Sequence, residues 1–296
     1  MKVWLEAIRL RTLPLALASI GMGSFLAADE EAFSLKIFLL CSLTTIFLQI
    51  LSNLANDYGD SIHGADSADR EGPQRAVQSG AITSKAMLTA LTICAILSLA
   101  SGIGLLYFAE ISDMKILATF LVLGILSIIA AITYTAGKLP YGYIGLGDIS
   151  VFMFFGLLGV MGTFFLHTGH VEMIHVLPSI SCGLFSIAVL NVNNIRDIES
   201  DTKAGKRSIP VRIGREKAVI YHWLLLSVGL SCAIAYVAID FSSPWQFLFL
   251  LILPLLLKNA KAVKQLTKPQ DLDPFLKQMA LTTLLFVITF GVGQIL

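Results

Sequence analysis

Apolar residues run along this chain in nine long blocks, at 12–28, 34–56, 86–109, 114–136, 143–166, 173–194, 218–239, 244–260 and 276–295, with polar stretches between them. A helix crosses the apolar part of a bilayer with about 20 mainly apolar residues. Each block therefore predicts one spanning helix, and the pattern is that of an all-α polytopic membrane protein. The first block follows K-V-W-L-E-A-I-R-L-R-T-L-P and could pass for a signal peptide ending near Leu26-Ala27-Ala28. Pro14 fits the first turn of a helix and eight more blocks follow, so we expect this segment to be a retained span.

Composition and charge sharpen the picture. Of 296 residues, 56% are hydrophobic and 14% charged, against about 25% charged in an ordinary soluble domain. That excludes a disordered chain, a coiled coil and a water-soluble globule of this length. The net charge of +1 gives no sign of a nucleic-acid partner. Cys41, Cys94, Cys182 and Cys232 sit singly inside apolar blocks, which reads as packing, not as a disulfide framework or a zinc site. The placement of charge says more than its sum. With nine spans and the N-terminus inside, all but Lys36 and Lys115 of the 21 Lys and Arg residues fall on the inner side, as the positive-inside rule requires. Miscounting by one span would reverse the sorting of every later loop. The expected topology is N-in and C-out.

Two inner connections, 57–85 and 195–217, are long and polar, and such loops are where function tends to sit. The first opens in S-N-L-A-N-D-Y-G-D-S-I-H-G-A-D-S-A-D-R, where Asn53, Asn56, Asp57 and Asp60 fall at spacings of three and four on one helix face. The second opens in L-N-V-N-N-I-R-D-I-E-S-D-T-K-A-G-K-R, where Asn191, Asn194, Asp197 and Asp201 repeat the pattern. Polar groups at a span's end are costly against lipid, so both faces should line a cavity. A lone Asn-Asp pair at a helix end is often only a cap, but two matching ladders on one side are more than capping. Facing carboxylates in a low-dielectric pocket repel. A divalent cation removes the conflict, and hard oxygen ligands suit magnesium. Arg70, Arg75, Arg196, Lys206, Arg207 and Arg212 nearby suit an anionic ligand. Asp69 and Glu71 read as a solvated loop face, and the lysine-rich loop 258–275 as one facing solvent or lipid headgroups.

A third inner segment, T-Y-T-A-G-K-L-P-Y-G-Y-I-G-L-G-D, joins blocks four and five. Its glycines permit sharp turns or close approach to a ligand. Lys138 could reach an anionic group, and Asp148 opens the next apolar block. Tyr134, Tyr141, Tyr143, Phe152, Phe154 and Phe155 could shield a cation with their ring faces, or simply form an interfacial belt. Arg9 and Arg11, ahead of the first span, read equally well as topology signals and as ligand contacts.

The stretches R-T-L-P-L-A-L-A-S-I, N-L-A-N-D-Y-G-D-S-I-H-G-A-D, G-P-Q-R-A-V-Q-S-G-A-I-T and N-N-I-R-D-I-E-S-D-T-K-A-G-K-R-S-I-P-V-R-I-G resemble the UbiA superfamily of intramembrane prenyltransferases, over essentially the whole chain. The resemblance implies one membrane domain over residues 1–296, with nine helices in two four-helix-like pseudo-repeats. It implies Asp-rich motifs at about 53–80 and 191–214, with a magnesium-bound prenyl diphosphate between them. It makes Asp57, Asp60, Asp197, Asp201 and Asp66 candidate metal ligands. Asn53, Asn56, Asn191, Asn194, Arg70, Arg75, Arg196, Lys206, Arg207 and Tyr134 become candidate substrate contacts, with Lys138 and Asp148 as further catalytic candidates. The flanking residues are most similar to the naphthoate branch. Where the hydroxybenzoate branch has an aspartate seven residues after the first motif Asp, this chain has Gly64, and the next carboxylate is Asp66. The branch implies a polyprenyl diphosphate donor and 1,4-dihydroxy-2-naphthoate acceptor, with decarboxylation to demethylmenaquinone. It also implies membrane lipid as surroundings and, with no Arg/Ser-rich leader in the sequence, a bacterial plasma membrane with the site facing the cytoplasm.

Other readings stay open at this point. One is another aromatic acceptor, such as 4-hydroxybenzoate or homogentisate. Another is a cation-coupled transporter, although transporters often place their site at midspan on broken helices, whereas these carboxylates lie at inner ends beside basic loops. A CDP-alcohol phosphotransferase would carry D-G-x-x-A-R, which is missing here.

Overall fold

The computed structural model describes residues 2–62 and 75–296. Asp66, Asp69, Arg70 and Glu71 lie outside the described residues. Within them, nine helices are long and apolar enough to cross a membrane. They are span one (Lys2–Asp29), span two (Leu35–Ile62), span three (Ser84–Phe108), span four (Met114–Thr133), span five (Gly147–Thr168), span six (Met173–Arg196), span seven (Ile209–Ile239), span eight (Pro244–Gln265) and span nine (Pro269–Ile295). A short helix, Ile198–Lys203, follows span six, and no strand occurs among the described residues. The protein is an all-helical, multi-pass membrane protein.

The predicted blocks fall largely inside these helices, but several helices run on into polar sequence. Span two continues to Ile62, so Asp57 and Asp60 are helical. Span seven starts at Ile209 and bends at Gly214, whose φ of 78° is not helical. An apolar block records contact with hydrocarbon, whereas backbone hydrogen bonding can carry a helix past that limit into the headgroup region.

In spans one and five an irregularity is closed by a polar side chain. Span one breaks after Ile8: Arg9 is left-handed (φ 54°), a 3-10 turn covers Leu10–Thr12, and α-helix resumes at Leu13 with Pro14 in its first turn. Thr12 N, which would bond the Ile8 carbonyl in an unbroken helix, donates to the Arg9 carbonyl at 2.9 Å. The Ile8 carbonyl is taken instead by Asn53 Nδ2 at 2.8 Å, which also donates to Thr12 Oγ1 at 2.9 Å. Span five contains a π-helical stretch, Phe152–Leu158. Such bulges disturb the regular ladder, and the Phe155 carbonyl accepts a hydrogen bond from Ser19 Oγ of span one.

Burial divides the bundle into a larger cluster, a smaller one and a third in which Ile20, Ile37, Cys41 and Leu105 meet. In the larger one, Phe164 of span five, Phe185 of span six, Phe249 of span eight and Phe286 and Phe290 of span nine pack together. In the smaller one, Leu51 and Leu54 of span two meet Met87 and Leu91 of span three. In a bilayer, lipid tails are as apolar as these side chains, so close packing and polar links do most of the joining. Gly156 and Gly183 let spans five and six touch: a Cβ on Gly156 would lie 2.9 Å from the Ser179 carbonyl oxygen. Polar links include His222 Nε2 with Asn259 Oδ1 at 2.9 Å and Gln246 Nε2 to Gln294 Oε1 at 2.8 Å. Span four buries only Ser127. It exposes Val122, Ile125, Leu126 and Ile129, as suits a helix against lipid.

Candidate functional site

A cavity of about 420 Å³ lies between spans one to six, with Leu276 of span nine also on its wall. Along span two its lining runs from Cys41 to Asp60, about 28 Å of helix at 1.5 Å per residue. One end is polar: Asn53, Asn56, Asp60, Arg75, Tyr134, Asn193, Asn194, Asp197, Asp201 and Lys206 all line it. The rest is mostly apolar, with Ile20, Leu105, Leu106, Phe120 and Leu166 on its wall. This is the shape of a site for a charged head on a long hydrocarbon body.

Each carboxylate at the polar end is held differently. Asp60 is buried and paired with Arg75, and its other oxygen accepts a hydrogen bond from Tyr143 OH at 2.8 Å. Tyr143 also stitches two loops, since its backbone oxygen accepts from Arg207 N at 2.8 Å. Gly59 lets this turn of span two lie directly on the backbone of Thr135, where any Cβ would overlap. Asp197 receives both arms of Arg196, Nε to Oδ1 at 2.7 Å and Nη2 to Oδ2 at 2.8 Å. Asp201 takes Lys206 Nζ on Oδ1 at 3.3 Å, while its Oδ2 is buried with no hydrogen-bond partner among the described residues. Burial pushes the Asp201 carboxyl above its ordinary value, with the negative charges of Asp197 and Asp60 adding to this against the pull of Lys206. Tyr134 is likewise raised, first by burial and then by Tyr141 and the carboxylates around it.

Several residues singled out in the sequence sit elsewhere. Asp57 points away from the cavity, its two oxygens accepting from the backbone N–H groups of Ala76 and Val77 at 3.1 Å each. It anchors the loop that carries Arg75. Asn191 is buried against span seven, donating to the Ala218 carbonyl at 3.1 Å. The cavity stripe on span six is Ser186, Val189, Leu190, Asn193, Asn194 and Asp197. At 100° per residue, Asn191 lies about 130° from the middle of that stripe. Arg196 is off the cavity wall, its donors taken by Asp197, Asn193 and Asp273. Lys138 and Arg207 are exposed and do not line the cavity. Asp148 is buried behind it, accepting from Tyr221 OH at 2.7 Å. Asp66 and Arg70 lie outside the described residues.

Other groups on the wall were not evident from the ladders. Asn193 is one, four residues before Asp197 and so on the same helix face. Gln49, Ser52, Thr135 and Ser19 are others. Only Gln49 and Ser52 had a signal available, since they extend the polar stripe of span two back into its apolar block. Of the six aromatic candidates, Tyr134, Tyr141, Phe154 and Phe155 line the cavity. Tyr143 contacts Asp60 instead, and Phe152 packs against Gly183. Arg9 lines the cavity, whereas Arg11 pairs with Asp273 at 3.2 Å.

The chemistry of the donor set suits a hard divalent cation, although among the described residues Asp60, Asp197 and Asp201 do not stand close enough together to share one ion without moving. Asp60, Asp197 and Asp201 bring carboxylate oxygens to one cavity, and a buried acceptor without a donor, as at Asp201 Oδ2, is what an oxygen-preferring cation would satisfy.

The UbiA prenyltransferase family model matches residues 16–285. A 1,4-dihydroxy-2-naphthoate octaprenyltransferase of Haemophilus influenzae is 48% identical, the match covering 100% of this chain and 96% of the relative. An enzyme of the same name from Escherichia coli is 46% identical over 99% of this chain and 96% of its own. A UbiA homologue from Archaeoglobus fulgidus, solved bound to DMAPP and Mg²⁺, shares the fold with a TM-score of 0.65 at 17% identity, covering 99% of this chain and 98% of that one. The chain belongs to the UbiA prenyltransferase family and is a membrane-embedded enzyme of that family.

Proposed function

We propose that this protein transfers a polyprenyl group from a polyprenyl diphosphate to 1,4-dihydroxy-2-naphthoate in a magnesium-dependent reaction, and that the acceptor loses its carboxyl group as carbon dioxide. The product is the demethylmenaquinone skeleton in its hydroquinone form. The observation that carries the reading is the convergence of carboxylates from both Asp ladders on one end of a long apolar cavity. The names of relatives at 46–48% identity over essentially the whole chain support the acceptor.

In this reading Asp60, Asp197 and Asp201 hold magnesium, and Asp57 shapes the loop beside it. Bound magnesium supplies charge neutralisation for the diphosphate oxygens. The chain's own residues do the rest. Arg75 and Lys206 add positive charge beside the leaving diphosphate, and Asn193 and Asn194 offer amide donors to it. Preorganised electrostatics of this kind is usually the largest catalytic contribution. The allylic C–O bond breaks and the diphosphate leaves with the electron pair. The ring faces of Tyr134, Tyr141, Phe154 and Phe155 cover the cationic carbon, in a cavity that keeps water away from it. The acceptor ring carbon that bears the carboxyl group forms the new C–C bond, and that group leaves as carbon dioxide with its bonding pair returned to the ring. The isoprenoid tail stays in the apolar part of the cavity.

The charge sorting of the loops supports a cytoplasmic position for the polar end, in a bacterial plasma membrane and with the N-terminus inside. The test is an acceptor panel. Purified protein with an allylic diphosphate and magnesium should prenylate 1,4-dihydroxy-2-naphthoate and leave 4-hydroxybenzoate and homogentisate unchanged. Product from either of the latter, with none from the naphthoate, would move the acceptor. Substrate uptake into vesicles without diphosphate release would replace the enzyme reading by a transporter.

A further inference from the structure

A row of four charged side chains runs from the surface to the cavity wall, and its outer members belong to no Asp ladder. Arg11 of span one donates from Nη1 to Asp273 Oδ2 at 3.2 Å. Asp273, near the start of span nine, accepts on Oδ1 from Arg196 Nη1 at 2.6 Å. Arg196 in turn holds both oxygens of Asp197, and its Nη2 donates to Asn193 Oδ1 at 2.9 Å. The Arg196 side chain is 3% exposed and that of Asp273 38%.

A buried guanidinium must have its charge and its donors met. Were Asp197 the sole carboxylate on Arg196, the pair would cancel, and Asp197 would have little charge left for a ligand in the cavity. Asp273 shares the guanidinium at 2.6 Å, and because its longer pair with Arg11 is partly exposed and screened by solvent, Asp197 keeps part of its negative charge. There is a second consequence. Arg196 has donors and no acceptor, so the Asn193 side chain must turn its oxygen toward Arg196 and its N–H₂ group toward the cavity it lines. That is the orientation that serves an anionic substrate.

We propose that Asp273 is a positioning residue of the site: through Arg196 it sustains the charge of Asp197 and fixes the amide of Asn193. It rests on the reading that Asp197 holds the divalent metal. Asp273 also lies near a helix N-terminus, where an acid is favourable to the helix dipole regardless of any site. A residue with that role alone would leave cation binding unchanged.

The test uses manganese(II) as the probe, titrated into the purified full-length protein in detergent, with the free ion followed by electron paramagnetic resonance. Partners behind a metal ligand typically alter affinity by about 10–100-fold. Asp273→Asn should therefore weaken manganese binding by about tenfold or more. It should also raise the half-saturating magnesium concentration and the KM for the prenyl diphosphate, with a much smaller fall in kcat at saturating metal. Asp273→Glu keeps the charge and should recover most of the affinity, which separates lost charge from damaged folding. If Asp273→Asn binds manganese as the wild type does while Asp197→Asn loses it, the positioning role is overturned and the site reading stands. An Asp273→Glu variant as weak as Asp273→Asn overturns charge sharing. Undiminished binding in Asp197→Asn overturns the site reading and this inference with it.

Discussion

Replacing Asp201 with asparagine should move catalysis and stability in opposite directions. Asp201 is buried, its Oδ2 has no hydrogen-bond partner among the described residues, and burial with the charges of Asp197 and Asp60 outweighs the pull of Lys206 on it. With magnesium and substrate present, the substitution removes a charged ligand, and losing one such preorganised group costs about 100–1,000-fold in turnover, or roughly 2.7–4 kcal/mol. Without magnesium the carboxylate is a liability. A carboxyl whose folded value is raised above its unfolded one detracts from stability at neutral pH, and the deficit fades as pH falls through the folded value. An unmet buried polar group costs about 1–3 kcal/mol. Asparagine keeps the shape and removes the charge, so a gain on the order of 1 kcal/mol is expected. Paired assays on purified protein check this: turnover under saturating magnesium, and the melting temperature in chelator. The variant should be nearly inactive yet melt at or above the wild-type temperature in chelator, and magnesium should stabilise only the wild type. Near-normal turnover would refute the ligand role. A clear fall in melting temperature in chelator would show that Asp201 is a structural bond and not a poised ligand.

Three further outcomes follow from the same geometry. Asn193→Ala removes the amide donors at the polar end, so the KM for the prenyl diphosphate should rise about tenfold, the usual scale of roughly 1.5 kcal/mol for a hydrogen bond to a charged group; steady-state kinetics at fixed magnesium reads it. Tyr143→Phe removes the 2.8 Å bond to Asp60 and should lower stability by about 1 kcal/mol and activity several-fold, measured by melting and by turnover. Because burial raises the Asp201 carboxyl, protonation competes with metal as pH falls; the half-saturating magnesium concentration should climb as the assay is moved from neutral to acidic pH, and a flat profile would contradict it.

Much of this fold is written in one-dimensional pattern. Nine apolar blocks mark nine spans because hydrocarbon thickness fixes their length, and the carboxylates at the ends of spans two and six stand out because lipid would not tolerate them. The site is less legible in its details. Spacing places Asn191 and Asn194 on one face but cannot centre that face, and the contact of span six with span seven through Ala218 sends Asn191 inward. Arg196 looks like an anion binder until span nine brings Asp273 beside it. Asp57 belongs to the same ladder as Asp60, yet the returning loop at Ala76 and Val77 claims it. In each case the deciding partner is distant in sequence, and nothing local encodes which of two polar neighbours will find it.

The most direct test of the account follows both leaving groups at once. Purified protein would be given carboxyl-labelled 1,4-dihydroxy-2-naphthoate and an allylic diphosphate, with magnesium or with chelator. The account predicts one labelled carbon dioxide for each diphosphate released, with both lost in chelator and both lost in Asp201→Asn. Diphosphate release without labelled carbon dioxide, or release of both with metal removed, would contradict it.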